Sequence, residues 1–259
     1  SSWSAEGDVD TSIGAVTFVE LAAKPNSDEI GLIAADRTNM NAEAYIWDGS
    51  SWGNHTTLST DLSYNRSEPI ALAYDNNGNL MVVAGEATNN VVRWNQWDGS
   101  SWGTGGTVDP NPSGSNVIRW LTLKADPSSS RLMLVCVDYD SDLSTVRWDG
   151  SSWTGATTND ATIEAYATRC ADGDWEPTGS KFLLVYGDAD VDSITYLTWD
   201  PTGGWSSAST YAGVTTDQKW VQCRRNPNSG ETAKILIGTL DDGNDLVLTT
   251  WDGTSMGSQ

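Results

Sequence analysis

A single histidine, His55, is all that the chain offers for acid–base or metal chemistry through imidazole. A Ser-His-Asp or Cys-His arrangement could use only that residue, and no nucleophile-elbow sequence surrounds it. It reads as a solvated residue in a loop between repeats. Cysteine is nearly as scarce. Cys136, Cys170 and Cys223 form no C-x-x-C or mixed Cys/His zinc spacing. Each lies in an apolar, strand-like run, where a free thiol behaves as a small buried hydrophobe, and an odd count leaves at least one unpaired. No apolar run approaches the ~20 residues that a bilayer-crossing helix needs, so no membrane span is expected. A signal peptide and an initiator methionine are both lacking, and the chain reads as a processed or excised form. No glycine-rich phosphate loop leads from a strand into a helix, and no helix is evident.

Positive charge is the next shortage. Lys and Arg number 14 against 35 Asp and Glu, giving a net charge of −21 and a pI near 4.1. Such a surface repels phosphate backbones and anionic lipid headgroups, so nucleic acid is excluded as a general partner. Three origins fit the acidity: a saline habitat, calcium binding outside the cell, or a solvated acidic surface. Phenylalanine is reduced to 2 residues while tryptophan reaches 14, a skew that demands a cause.

A repeat supplies it. WDGSSWG runs from Trp47 to Gly53 and again from Trp97 to Gly103. WDGSSW returns from Trp148 to Trp153, WDPTGGW from Trp199 to Trp205, and WDGTSM from Trp251 to Met256. The spacing is about fifty residues, a period that signals a repeat architecture. Asp-Gly is a strong hairpin signal, because Gly accepts positive φ and Asp bonds its own backbone. Whether the turn centres on Asp48-Gly49 or Gly49-Ser50, parity places Trp47 and Trp52 on one face, packed directly or diagonally across two strands. The tryptophans are therefore expected to be packing anchors between neighbouring units.

Each unit carries three strand-like runs and a fourth beyond the Asp-Gly turn. In the second unit these are Pro69–Asp75, Leu80–Glu86, Val91–Trp97 and the SSWG segment. Continuous apolar runs such as LMVVAG and FLLVYG fit strands covered on both faces. Four antiparallel strands and one crossover per unit is the pattern of a propeller blade. The expectation is an all-β, five-bladed β-propeller, a single domain over 1–259 with blades at about 14–54, 66–104, 117–155, 164–207 and 217–253 plus 1–4. Met256 stands where the other units have Trp, so the N-terminal Ser1-Ser2-Trp3-Ser4 is expected to supply the outer strand of the last blade, with the Met-containing tail displaced or weakly bound. Closure in this way removes a free edge. Donation of the same strand to another copy would give self-assembly instead, and a third reading is that the sequence is an excerpt of a longer array.

The units resemble those of β-propellers with a WDG-type hairpin, and the blade count resembles that of tachylectin-2-like lectins. The turn is similar to the Asp box of sialidase-type propellers, with Asp48 and Gly49 adjacent where that box has an intervening residue. The lectin resemblance implies binding of N-acetylated sugars at repeated sites. Fold alone does not fix function.

Two constellations carry candidate chemistry. Each second strand ends in an acid: Asp36, Glu86, Asp138, Asp188 and Asp241. Asp138-Asp140-Asp142 and Asp188-Asp190-Asp192 place carboxylates at alternate positions, a pattern that can converge on calcium, against which stands the plain preference of Asp for turns. Aligning the first strands as VTFVELAAKP, EPIALAYD, RWLTLKAD, AYATRCAD and KWVQCRRN puts Phe18, Pro69, Trp120, Tyr166 and Trp220 in one column near a mouth of the central channel. Lys124, Arg169, Arg224 and Arg225 lie nearby. Stacking faces with cationic donors suit a sugar or an anionic group; the bland alternative is packing between units, with ion pairs to the rim. Asn54-His55-Thr56 and Asn65-Arg66-Ser67 are glycosylation sequons, which favour an extracellular or cell-surface setting. The sequence thus points to a non-enzymatic module that recognises surface glycans or other surface ligands. The alternatives are a structural subunit of a filament, sheath or virion, and a hydrolase using a carboxylate pair.

Overall fold

The computed structural model describes residues 9, 13–36, 38–63, 67–112, 114, 116–164, 168–179, 181–214 and 216–257. The N-terminal Ser1–Ser4 segment lies outside them, as do Asn65 and Tyr166.

One repeat makes one antiparallel sheet. The first contains β1 (Val16–Ala23), β2 (Ile30–Asp36), β3 (Asn41–Trp47) and β4 (Trp52–Ser59) in that order. The second contains β5 (Ile70–Tyr74), β6 (Leu80–Gly85), β7 (Val92–Trp97) and β8 (Gly106–Val108). The third contains β9 (Ile118–Ala125), β10 (Leu132–Asp138), β11 (Leu143–Trp148) and β12 (Trp153–Asp160). In the fourth, β13 (Ala171–Trp175), β14 (Phe182–Asp188) and β15 (Val191–Asp200) are followed by two short pieces, β16 (Gly204–Trp205) and β17 (Ser209–Tyr211), both paired with β15. The fifth contains β18 (Gln218–Arg225), β19 (Ile235–Asp241), β20 (Leu246–Trp251) and β21 (Met256–Gly257).

The WDG hairpins show why the repeat is so regular. Trp47 pairs directly with Trp52 across β3 and β4, and their ring centroids are 5.7 Å apart. The turn centres on Gly49-Ser50: the Asp48 amide donates to the Ser51 carbonyl at 3.1 Å, and Gly49 takes φ +98°. Asp48 Oδ1 accepts from the amides of Ser50 and Ser51 and from the Ser50 hydroxyl, each at 2.8 Å. These bonds favour the anion and hold Asp48 down at about 2. Asp98, Asp149 and Asp252 repeat the arrangement and are also held at about 2.

Side-chain alternation gives every sheet two faces. The face of the first sheet that carries Ile33 and Ile46 packs on Ile70, Leu72, Leu80, Val82 and Trp97 of the second. Met81 and Val83 on the reverse of the second sheet pack on Leu121, Leu132, Leu134 and Trp148 of the third. Met133 and Val135 then meet Trp175, Phe182, Leu184 and Trp199 of the fourth. Leu183 and Val185 meet Val221, Ile235, Ile237 and Trp251 of the fifth. Trp97, Trp148, Trp199 and Trp251 are all buried in these junctions, and burial of a large apolar side chain stabilises by ~1.5–3 kcal/mol. Trp47, their counterpart in the first sheet, is only half-buried.

This is propeller architecture, with several corrections to the sequence reading. The Met256 tail is not displaced, because Met256 pairs with Trp251 and β21 is the fourth strand of the fifth sheet. Met fills the slot of the missing Trp as a flexible apolar side chain. His55 is not in a loop but in β4, stacked on Tyr45 at 4.9 Å with Nε2 3.1 Å from Glu43. The first strand of the fourth unit is Ala171–Trp175, not the run beginning at Ala165. Asp172, the last residue of the expected run AYATRCAD, lies mid-strand. Gly173 is required there because a Cβ would come within 2.5 Å of the Leu183 carbonyl oxygen. Finally, five sheets share four apolar junctions among the described residues, with no cluster joining the fifth sheet to the first. The described residues form five sheets and no closed ring among themselves, and the Ser1–Ser4 strand expected to close it lies outside them.

Candidate functional site

The first strands converge on a polar cavity of about 320 Å³ lined by Glu20, Leu21, Leu72, Thr122, Lys124, Arg169 and Arg224, among others. Register explains the convergence. Glu20, Thr122 and Asp172 hold equivalent positions opposite Ile33, Val135 and Val185. Lys124, Asp174 and Arg224 hold the next equivalent level. Lys124, Arg169 and Arg224, singled out from the sequence, are thus brought together. Their charges are answered from within. Arg169 Nη1 is 3.0 Å from Glu68 Oε2, and its Nη2 donates to Thr122 Oγ1 at 3.0 Å. Lys124 and Arg224 lie 3.6 and 3.8 Å from the buried Asp172. Arg225 is 3.9 Å from Asp174.

The aromatic column is only partly assembled. Trp120 and Trp220 meet edge to face with centroids 6.1 Å apart, and the Arg169 guanidinium lies 5.9 Å from the Trp220 ring centre. Phe18 turns into the first apolar junction. The residue at this level in the fourth sheet is Cys170, whose carbonyl accepts from Gly187; the column was misaligned there for the same reason as the strand. Asp172 and Asp174 were missed altogether. Asp172 accepts from the Cys223 amide and Asp174 from the Arg225 amide, both at 2.8 Å, so two side chains tie β13 to β18. The signal was present as two acids within a first-strand segment.

Glu20 shows the electrostatic cost of this interior. Burial raises its pKa to about 7, and Glu68 adds to the shift, while Arg169 and Lys124 oppose it. A carboxyl with a raised folded-state pKa binds more protons folded than unfolded, so its stabilising contribution is present below pH 4.5 and is lost as pH rises through about 7. Glu20→Gln is therefore expected to flatten the decline in stability between pH 5 and pH 8, measured by urea unfolding at each pH.

The acids at the strand ends serve turns. Asp36 accepts from the Gly14, Thr38 and Asn39 amides. Asp138 accepts from the amides of Asp140 and Asp142 and, with Asp142, from Asn111 Nδ2. Asp188 accepts from the Asp190 amide and Thr195 Oγ1, and Asp192 is exposed. Glu86 pairs with Arg93, and Asp241 accepts from Thr216 Oγ1 at 2.7 Å. Among the described residues no group of three or more His, Cys, Asp or Glu side chains is arranged to hold a metal ion. The three cysteines are buried and free, and burial pushes the Cys170 thiol up to about 12.

A second hollow lies between the second and third sheets. It measures about 360 Å³ and is lined by Trp94, Gln96, Asp98, Ser101, Gly103, Thr104, Gly105, Trp148, Gly150 and Ser151. Trp94 and Trp148 form its aromatic wall, with centroids 5.3 Å apart and planes inclined at 56°. The glycine run opens it. Gly105 takes φ +63°, and a Cβ on it would sit 2.5 Å from the Trp94 carbonyl oxygen. A Cβ on Gly106 would press on the Trp94 ring at 3.2 Å. At the same place the first repeat has Gly53-Asn54-His55-Thr56 and the third has Thr154-Gly155-Ala156-Thr157. The signal in the sequence was this departure from the repeat, together with an additional tryptophan, Trp94, three residues before the repeat's own Trp97.

Comparison with known proteins places the fold. No family model matches the chain, and no curated protein matches it in sequence. Solved structures do match. The BP39L lectin of Burkholderia pseudomallei superposes with a TM-score of 0.68 at 11% identity, covering 98% of this chain and 73% of its own. Aleuria aurantia lectin, a six-bladed β-propeller that recognises fucose, gives 0.57 at 14% identity over 93% of this chain and 78% of its own. The NanB sialidase of Streptococcus pneumoniae gives 0.62 at 11% identity, covering 96% and 61%. At these identities the shared property is the β-propeller fold. Among the described residues no helix is long and apolar enough to cross a membrane.

Proposed function

We propose that this propeller is a non-enzymatic recognition module for surface glycans, working outside the cell or at its surface, and that it seats one sugar residue in the groove between its second and third sheets. The observation that carries this reading is the Trp94–Trp148 wall facing a polar fringe of Gln96, Thr104 and Ser151, held open by a glycine run. A pyranose has an apolar face and a ring of hydroxyls, and it needs that combination of flat surface and fixed polar groups. The central cavity suits a neutral sugar less well, because its cations are already engaged by Glu68 and Asp172. Several solved neighbours are lectins, which supports the reading at the level of fold. Asn54, exposed on β4, is available to carry a glycan itself in such a setting.

The test is a glycan array that includes fucosides and N-acetylglucosamine-terminated structures. Wild-type protein is expected to retain a defined subset. Trp94→Ala should weaken that binding by about tenfold or more, the scale of an interface hot spot. Gln96→Ala, at a half-buried polar position, should weaken it with the fold intact by circular dichroism. Absence of retained glycans, or undiminished binding by both variants, would contradict the proposal.

A further inference from the structure

The two ends of the stack expose faces that are buried everywhere else. Leu246 in β20 is 72% exposed, whereas Val92, Leu143 and Ile194 at the equivalent register positions of the second, third and fourth sheets are at 0%. Leu21 in β1 is 61% exposed, against 6% for both Leu72 and Leu123. Around Leu246, a groove of about 240 Å³ is lined by Trp220, Leu236, Leu240 and Leu248. Around Leu21, Val16 and Val19 are also exposed. Among the described residues these are the large exposed hydrophobic side chains apart from Tyr139 and Val191, and they fall on two sheet faces.

The two faces are not alike. The bare face of the fifth sheet corresponds to the face that carries Met81, Met133 and Leu183 in earlier sheets, which always packs forward on the next sheet. The bare face of the first sheet corresponds to the face that carries Trp97, Trp148 and Trp199, which always receives the preceding sheet. A sheet of this same repeat has one face of each kind, so it could continue both junctions at once. The Aleuria lectin supplies the spacing: it is a six-bladed ring, and this five-sheet chain covers 78% of it.

We propose that the gap between the fifth and first sheets is a slot for one further antiparallel sheet of the same WDG-type repeat, joined in tandem, which completes a six-sheet ring. The slot requires a tandem repeat because both of its walls continue junction chemistry already used four times within the chain. Exposed apolar area of this extent marks an interaction site.

The experiment uses Leu21→Cys and Leu246→Cys in the full chain, since the three native thiols are buried. Maleimide labelling should be fast at both positions. It should slow by about a hundredfold or more when a copy of residues 66–116 is appended, as expected for a site that reacts only through local opening. Residues 117–163 serve as a second appended repeat. Three results would overturn the proposal. The first is protection at both positions in the monomeric chain, meaning that the two faces close on each other as a five-sheet ring. The second is protection that appears only as the mass doubles, meaning that a second copy covers them. The third is unprotected labelling with either appended repeat.

Discussion

Trp175→Ala is expected to cost the protein about 3–5 kcal/mol of stability, the range for emptying a large aromatic from a closed core. Trp175 is fully buried and packs against Phe182 at 5.4 Å and Trp199 at 5.7 Å. Its indole Nε1 donates to the Lys124 carbonyl at 3.0 Å, so the side chain fastens the fourth sheet to the first strand of the third. Gly173, two residues earlier on the same face, adds no side chain to fill the space. Neighbours on that face are large and fixed in their own junction, which limits collapse into the cavity. Urea unfolding followed by far-ultraviolet circular dichroism measures the loss. A cost below ~1 kcal/mol would show that the third junction is not packed as described.

Asp172→Ala is expected to be comparably damaging, by about 3–5 kcal/mol, because removing one member of a buried ion pair strands the other. The carboxylate has no exposed surface and faces Lys124, Arg224 and the Cys223 amide. Without it, Lys124 would lose the carboxylate nearest its largely buried charge and keep only Asp174 and Glu20 farther off, and the Cys223 N–H would lose its acceptor. Asp172→Asn keeps an acceptor for that amide and should lose less. The difference between the two variants separates the hydrogen bond from the charge. Equal stability of both variants and wild type would remove the ionic tie between β13 and β18.

These two residues also mark the limit of what the sequence disclosed. The hairpins were legible because Trp, Asp and Gly each have a local reason to sit where they do, and Trp47 pairs with Trp52 as parity requires. Four strands per repeat followed from apolar runs of strand length. The run AYATRCAD misled, because it ends in an acid as EPIALAYD and RWLTLKAD do, yet Asp172 lies mid-strand with Gly173 pressed against Phe182, and only the neighbouring strand reveals it. That single slip displaced the aromatic column by four residues, from Cys170 to Tyr166. Met256 misled differently: its departure from the repeat suggested a displaced strand, yet an apolar side chain of any shape can cover Trp251. The groove between the second and third sheets was written in Gly103-Thr104-Gly105-Gly106. Its meaning depended on which neighbouring ring the missing side chains would have touched.

The location of the site is tested most directly by indole ¹⁵N–¹H spectra of the tryptophan-labelled protein, titrated with the glycan selected on the array. The account predicts that Trp94 and Trp148, assigned by conservative substitution, shift with ligand while Trp120 and Trp220 stay in place. Shifts confined to Trp120 and Trp220 would move recognition to the central cavity and contradict it.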